Sequence, residues 1–202
     1  MINGKDGELI FNKMLSSYTS WKIGGPADAI FIPKSKKALS DLLRNSSEEI
    51  TWLGNGTNVL IRDGGIRGIV ISTKKTLNKI QKINDSSCKV ESGTSCFDLA
   101  LFATKNSIGP AAFFSGIPGS VGGALTMNAG CFGHETWEFV KSLEVIDRQG
   151  EIHHLDPKEF SISYRSVNFP FPLWFLSCVM SFPEEGFTTI EELKSMRDSR
   201  LE

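Results

Sequence analysis

The sequence lacks a charge bias, which argues against several classes of partner. Lysine and arginine number 22 and aspartate and glutamate 23, so the net charge is -1 over 202 residues. The charges are interspersed along the chain, without a basic block or an acidic tail. A chain this close to neutral does not have the basic surface typical of nucleic-acid-binding proteins, and we expect no nucleic-acid partner.

Long apolar runs are also missing. No stretch approaches the roughly 20 apolar residues that a membrane-spanning helix requires. Residues 1–14 contain no apolar segment of the kind found in secretory signals. We therefore expect a cytoplasmic protein that does not insert into a membrane.

Cysteine and histidine are scarce, with four and three residues in the chain. No C-x-x-C pair occurs, and Cys131 with His134 gives only two candidate ligands, which do not make a metal site. We predict no metal site and expect reduced cysteines in the protein interior.

Hydrophobic periodicity predicts a mixture of helices and strands. Helices are predicted over 36–45, with Ser35 as the N-cap, and over 96–105, with Thr94 or Ser95 as the N-cap. The segment between the second helix and residue 133 shows almost no regular pattern. Strands are predicted over 29–32, 51–53, 59–61, 69–71, 89–91, 143–146, 152–155 and 174–182.

The order of these elements predicts two lobes, residues 1–74 and 75–186, followed by the start of a helix in residues 187–202. Thr188 and Glu191 have the spacing of a capping box for this last helix. Because the helical pattern continues to the end of the sequence, we expect a further domain that this chain does not contain.

The first of two glycine clusters contains the motif G-N-G-T-N-V-L at residues 54–60. It lacks the third glycine and the following helix of a Rossmann fingerprint. One interpretation is a nest of backbone N–H groups that binds phosphate, with polar contacts from Asn55, Thr57 and Asn58. The other is a tight hairpin turn that the asparagines stabilise.

The second cluster contains G-I-P-G-S-V-G-G at residues 116–123 and continues to residues 128–130. Its glycines leave bare backbone against which a flat ligand or a diphosphate can lie. Ser120 adds a hydroxyl group and a backbone N–H. A mobile surface loop is the alternative, which the apolar residues Ile117, Val121 and Leu125 disfavour.

Arg165 follows a short alternating stretch at residues 160–164. A guanidinium group binds a carboxylate through two hydrogen bonds and stabilises a developing enolate. A solvated surface charge is the other interpretation of a lone arginine.

Four segments together resemble the UDP-N-acetylenolpyruvoylglucosamine reductase (MurB) family. Residues 19–28 resemble the opening of that family's flavin-binding domain, and residues 54–65 and 116–130 resemble its two phosphate-binding loops. Residues 164–166, Tyr-Arg-Ser, resemble the site of its catalytic arginine. The segments occur in the family's order between residues 19 and 183.

The resemblance implies an α+β fold of the PCMH or vanillyl-alcohol-oxidase type, in which two α+β lobes hold FAD between them without a covalent bond. The cofactor-binding residues that it implies are Gly54, Asn55, Gly56, Thr57, Asn58, Val59, Leu60, Gly116, Ile117, Pro118, Gly119, Ser120, Gly122, Gly123, Asn128, Ala129 and Gly130.

The implied reaction is reduction of the enolpyruvyl ether of a UDP-sugar to a lactyl ether in peptidoglycan synthesis, with NADPH as the hydride donor. Arg165 is the implied catalytic residue, and Tyr164 is an implied substrate contact. The family's proton-donating serine and its catalytic glutamate belong to a later domain, and no position here matches their motifs. We therefore expect a chain that is incomplete for catalysis.

Two other interpretations stay open. One is a truncated homologue that binds flavin without catalysis. The other is a PCMH-type flavin oxidoreductase with another substrate. His134 and Cys131 lie in the region where many relatives of this fold attach flavin covalently, but the resemblance to MurB does not imply such a bond.

Overall fold

The computed structural model describes residues 6–74 and 76–199, and the first part of the chain forms a four-stranded sheet. The sheet has the order β1-β2-β4-β3. Strand β1 is antiparallel to β2, whereas β2, β4 and β3 run parallel. The elements are β1 (Gly7–Met14), β2 (Pro26–Pro33), helix α1 (Lys36–Asn45), β3 (Ile50–Leu53) and β4 (Ile66–Ser72).

The remaining strands form a five-stranded antiparallel sheet with the order β10-β9-β13-β6-β5 and two small two-stranded ladders, β7-β8 and β11-β12. These strands are β5 (Ile80–Lys82), β6 (Ser87–Glu91), β7 (Gly130–Cys131), β8 (His134–Glu135), β9 (Val140–Asp147), β10 (Ile152–Leu155), β11 (Ser161–Ser163), β12 (Ser166–Asn168) and β13 (Leu173–Ser181). The helices are α2 (Cys96–Lys105), α3 (Val121–Thr126) and α4 (Ile190–Ser199), with short 3-10 helices at Leu15–Tyr18, Ala111–Gly116, Thr136–Phe139 and Pro157–Glu159.

An apolar cluster joins the two sheets. The buried face of α1 and residues of the first sheet pack in one cluster with Ile146 and Leu176 of the second sheet. At the edge of this cluster, Trp52 of β3 stacks on Trp174 of β13, with ring centroids 5.6 Å apart. Burial of this shared surface holds the sheets against each other, because apolar area removed from water stabilises their contact.

Polar contacts also connect α1 to the second sheet. The guanidinium group of Arg148 donates hydrogen bonds of 2.8 Å to the carbonyl groups of Leu43, Ser46 and Glu48. These carbonyls lie at or just beyond the end of α1, where the last turn of a helix leaves acceptors unpaired. Arg148 therefore binds the C-terminal end of α1 to the β9–β10 turn.

A second connection is the side chain of Glu144 in β9. Its carboxylate accepts hydrogen bonds from Lys36 of α1 at 2.6 Å, from Lys89 of β6 at 3.0 Å and from Ser177 of β13 at 3.0 Å. Burial alone would raise the pKa of Glu144, but the hydrogen bonds from the lysines and the serine outweigh it and lower the pKa to about 2. The carboxylate is therefore charged at neutral pH.

The sequence predicted the strongly periodic elements correctly. Helix α1 has Ser35 as its N-cap, whose side chain accepts a hydrogen bond from the N–H of Ala38 at 3.0 Å. In α2, Ser95 accepts one from the N–H of Asp98 at 3.0 Å, which decides between the two predicted caps. The strands predicted over 143–146 and 152–155 form the antiparallel β9–β10 pair.

Other local predictions were wrong. Residues 59–61 are not a strand, and Val59 and Leu60 are exposed. Because β3 and β4 are parallel neighbours, the chain must run back along the sheet between them, and residues 54–65 form that connection.

The last helix is capped by Thr189 with Glu192, one position later than predicted. Residues 200–202 of the predicted 187–202 segment lie outside the described residues.

Candidate functional site

A cavity of about 490 Å³ lies where the two glycine-rich loops face each other. Its volume is within the usual range for small-molecule and cofactor sites. Most of the predicted cofactor-binding residues line it, together with Arg165. These are Gly54, Asn55, Gly56, Thr57, Asn58, Val59, Gly116, Ile117, Pro118, Gly119, Ser120, Gly122, Gly123, Ala129 and Gly130.

Three predicted site residues do not line the cavity. The side chains of Leu60 and Tyr164 point to solvent, with 71% and 80% of each residue exposed. Asn128 is buried behind the second loop, where its amide donates to Glu135 at 2.7 Å and accepts from the N–H of Trp137 at 3.2 Å. The position of Asn128 gives it a structural role in holding the turn that precedes β9.

The first loop lines the cavity and has unpaired backbone N–H groups. Within the described residues, none of the N–H groups of residues 54–58 donates a hydrogen bond. The loop is fixed from behind, because the N–H of Ser20 donates to the carbonyl of Gly56 at 2.9 Å. Since β3 and β4 are parallel, the hairpin interpretation of this motif was wrong.

Gly56 is required by the fold as well as by the cavity. Its φ is +65°, and a Cβ atom there would lie 2.1 Å from the carbonyl oxygen of Tyr18. Gly119 in the second loop also has a positive φ, +125°, but a Cβ atom there would meet only the side chain of Thr57, at 2.8 Å. A side chain at Gly56 therefore damages the fold more than one at Gly119.

The second loop is partly buried between helices, which contradicts its interpretation as a surface loop. A 3-10 helix and α3 flank the motif, and Val121 and Leu125 are fully buried. The N–H of Gly122 is occupied by the carbonyl of Ser92 at 2.8 Å. The N–H groups of Gly119 and Ser120 donate no hydrogen bond within the described residues, so they remain for a ligand.

The two loops together fit a diphosphate. Unpaired N–H groups from both loops line one cavity, and consecutive backbone N–H groups bind anions without a cationic side chain. Among the described residues that line the cavity, Arg165 is the only charged one. The residues present therefore fit the diphosphate of FAD, which residues 54–58, Gly119 and Ser120 would hold.

An aromatic wall completes the cavity, and sequence reasoning did not find it. Trp52 and Trp174 line the cavity as a stacked pair, and Phe169 and Phe175 line it nearby. A flat ring system can lie against such surfaces. These residues lie in or next to ordinary apolar strand patterns, so no signal in the sequence marks them as part of a site.

Arg165 lies in the tight turn between β11 and β12 and lines the cavity. Its φ is +53°, a conformation that is uncommon for a residue other than glycine. Within the described part of the chain, its guanidinium group has no ion pair or hydrogen bond. The exposed charge is therefore available to an anionic ligand at the cavity.

Neither His134 nor Cys131 lines the cavity. The ring of His134 packs against Phe113 and Phe139, with centroids 5.5 Å apart in both cases, and its Nδ1 lies 3.1 Å from Glu138.

Over residues 6–74 and 76–199, no cluster of three or more histidine, cysteine or acidic side chains is arranged to hold a metal ion. No helix in these ranges combines the length and apolar character that crossing a membrane requires.

Comparison with known proteins identifies the domain. Residues 27–156 match the family model described as FAD binding domain. The UDP-N-acetylenolpyruvoylglucosamine reductase of Legionella pneumophila strain Paris is 39% identical over 96% of this chain, and that of Coxiella burnetii strain Dugway 5J108-111 is 39% identical over 95%. The chain spans 65% of the length of the Legionella protein and 69% of the Coxiella protein.

Solved structures show the same fold. The crystal structure of UDP-N-acetylenolpyruvylglucosamine reductase (MurB) from Thermus caldophilus is similar over 96% of this chain and 67% of its own, with a TM-score of 0.72 at 24% identity. The 6-hydroxy-D-nicotine oxidase of Arthrobacter nicotinovorans is similar over 87% of this chain and 42% of its own, with a TM-score of 0.61 at 16% identity. The predicted α+β fold of the PCMH type is confirmed.

Proposed function

Because the chain belongs to the UDP-N-acetylenolpyruvoylglucosamine reductase family of FAD-dependent oxidoreductases, we propose that it is the FAD-binding part of such a reductase. The reaction is the reduction of UDP-N-acetylglucosamine enolpyruvate to UDP-N-acetylmuramate, a cytoplasmic step that supplies peptidoglycan synthesis. NADPH is the reductant. When bound, FAD would supply the hydride transfer that links the nicotinamide to the enolpyruvyl group.

One observation carries this proposal: among the described residues that line the cavity, Arg165 is the only charged one, beside loop residues with unpaired N–H groups and aromatic side chains. The N–H groups account for a diphosphate, which leaves the guanidinium group for another anion. The enolpyruvyl substrate carries a carboxylate, and a guanidinium group binds a carboxylate with two parallel hydrogen bonds. In this contact Arg165 orients the substrate. It also stabilises the negative charge that is delocalised into the carboxylate when hydride adds to the double bond.

The residues around the cavity do not include an acidic side chain, a histidine or a cysteine among those that the structure describes. Reduction of the double bond needs a proton as well as a hydride, and a positioned acid contributes roughly 10²–10⁴-fold to such a step. Since the chain spans 65% of its Legionella relative, we propose that the remaining length of such proteins supplies the proton donor. The chain alone then binds FAD but does not make product at an enzymatic rate.

The test compares this chain with a chimera in which the C-terminal region of the Legionella protein follows it. Each protein, loaded with FAD, is incubated with NADPH and UDP-N-acetylglucosamine enolpyruvate, and UDP-N-acetylmuramate is measured directly. NADPH consumption alone is insufficient, because oxygen can reoxidise the flavin. We expect product from the chimera and none from the chain alone.

The same assay separates the alternatives. Product formed by the chain alone at a normal rate would contradict its incompleteness. A chimera that folds and binds FAD but makes no product would favour the non-catalytic homologue or a reductase with another substrate. In an active chimera, Arg165→Lys should retain FAD and lose most product formation, because an ammonium group cannot reproduce the planar two-pronged contact.

A further inference from the structure

Two hydroxyl groups at the cavity have no hydrogen-bond partner within the described residues, and that of Ser92 is itself buried. Thr73 and Ser92 are each 1% exposed, and both line the cavity. The hydroxyl of Ser92 has no partner in the structure, and the side chain of Thr73 makes no hydrogen bond within the described residues. Burying a polar group without a partner costs roughly 1–3 kcal/mol, so such groups require an explanation.

The backbone places these hydroxyls where the two sheets meet. Thr73 directly follows β4 of the first sheet, and Ser92 directly follows β6 of the second. Gly93 allows the close approach, because a Cβ atom there would lie 2.5 Å from the carbonyl oxygen of Thr73.

The backbone groups of both residues already have partners. The N–H of Thr73 donates to Leu53 at 3.4 Å, and the N–H of Ser92 donates to Leu176 at 2.9 Å. The carbonyl of Ser92 accepts from Gly122 at 2.8 Å. The backbone of both residues is therefore held in position, while their hydroxyl groups make no hydrogen bond within the described residues.

Position distinguishes this pair from the buried hydroxyls elsewhere in the described residues that lack a partner. Thr76, Thr94 and Ser115 also have unpaired buried hydroxyls, but none of these three lines the cavity. The cavity surface around Thr73 and Ser92 includes the apolar and aromatic residues of the wall, such as Trp174 and Phe175. A ligand that lies on this wall would meet two hydrogen-bonding groups in mostly apolar surroundings.

We propose that the hydroxyls of Thr73 and Ser92 bind the polar edge of a ring system of FAD, an inference that rests on the proposed function. The isoalloxazine and adenine rings of FAD are both flat heterocycles with nitrogen and oxygen or amino groups at one edge. Their faces suit an aromatic wall, and a hydroxyl group can donate to or accept from either edge. The pair therefore positions the cofactor through one residue from each sheet.

The experiment measures the FAD dissociation constant and the apo-protein melting temperature of Thr73→Val, Ser92→Ala and the double variant. Thr94→Val and Ser115→Ala are matched controls, since they make the same substitutions at unpaired hydroxyls away from the cavity. Each variant at the cavity should bind FAD about three- to tenfold more weakly, and the double variant about ten- to a hundredfold more weakly. The melting temperatures of the apo-proteins should stay the same or rise, because an unsatisfied polar group is removed.

A double variant that binds FAD within twofold of the wild type would overturn the inference, as would an equal loss of affinity in the two controls. A wild-type chain that does not bind FAD would overturn the proposed function as well, so the two failures are distinguishable. Competition with ADP and with FMN then assigns the ring. If the variants lose affinity for ADP, the hydroxyls bind the adenine edge. If they lose affinity for FMN, the hydroxyls bind the isoalloxazine edge.

Discussion

The hydroxyl of Thr57 donates a hydrogen bond of 3.1 Å to the carbonyl of Pro118, and this bond connects the two glycine-rich loops. The first loop follows β3 of the first sheet, whereas the second lies between a 3-10 helix and α3, and Thr57 and Pro118 are 61 residues apart in the chain. Both loops line the same cavity and have unpaired N–H groups, so their relative position determines whether one diphosphate can reach both.

Replacing Thr57 with valine should weaken FAD binding by about three- to tenfold, because the bond that aligns the loops is worth about 0.5–1.5 kcal/mol. Thr57→Ser keeps the hydroxyl group and should bind FAD nearly as the wild type does. Isothermal titration of the apo-proteins with FAD provides the measurement. Equal affinities in the valine and serine variants would show that the contact between the loops does not matter for the cofactor.

The Glu144 network should make the stability of the protein depend on pH in the acid range. The pKa of Glu144 is lowered from 4.5 to about 2 in the folded protein. A lowered carboxylate pKa contributes stability that is complete above about pH 4.5 and is lost as the pH falls towards 2. Urea unfolding between pH 7 and pH 3 should therefore show a smaller stability difference between the wild type and Glu144→Gln at the acid end. A difference that is constant across this range would contradict the assigned network.

Arg148 should contribute more to the free energy of unfolding than Arg44 does. Arg148→Ala removes three hydrogen bonds to the end of α1 and should cost about 1–3 kcal/mol of unfolding free energy. Arg44→Ala is the matched control, because the ion pair between Arg44 and Glu151 is solvent-exposed and such pairs contribute about 0–1 kcal/mol. Only the Arg148 variant should also lose FAD affinity, since it loosens the contact between the sheets. Similar urea midpoints for the two variants would rule out this role.

Helices with strong caps and one apolar face could be predicted from the sequence, because local hydrogen bonds and periodicity determine them. Ser35 and Ser95 begin α1 and α2 in this way. Strand β1 was missed, since it lies at the edge of its sheet and its Phe11 is exposed, which hides the alternating pattern. Helix α3 was missed because two glycines follow Val121 at its start, and glycine is a weak helix former.

In the candidate site, too, the sequence marked some residues and left others unmarked. Glycine clusters marked both loops, because close approach of a ligand to backbone needs residues without side chains. Thr73, Ser92 and Trp174 could not be found, since each follows or lies in a strand whose partner is distant in the sequence. Only the packing of one sheet on the other brings them to one cavity.

The most direct test of the central claim, that the cavity between the loops holds FAD without a covalent bond, is a single gel-filtration and acid-precipitation measurement. The apo-protein is saturated with FAD, separated from free flavin, and precipitated with acid. The account predicts about one FAD for each chain in the protein peak and release of all the yellow colour into the supernatant. A protein peak without flavin would contradict the proposed site, and colour that stays with the precipitate would contradict non-covalent binding.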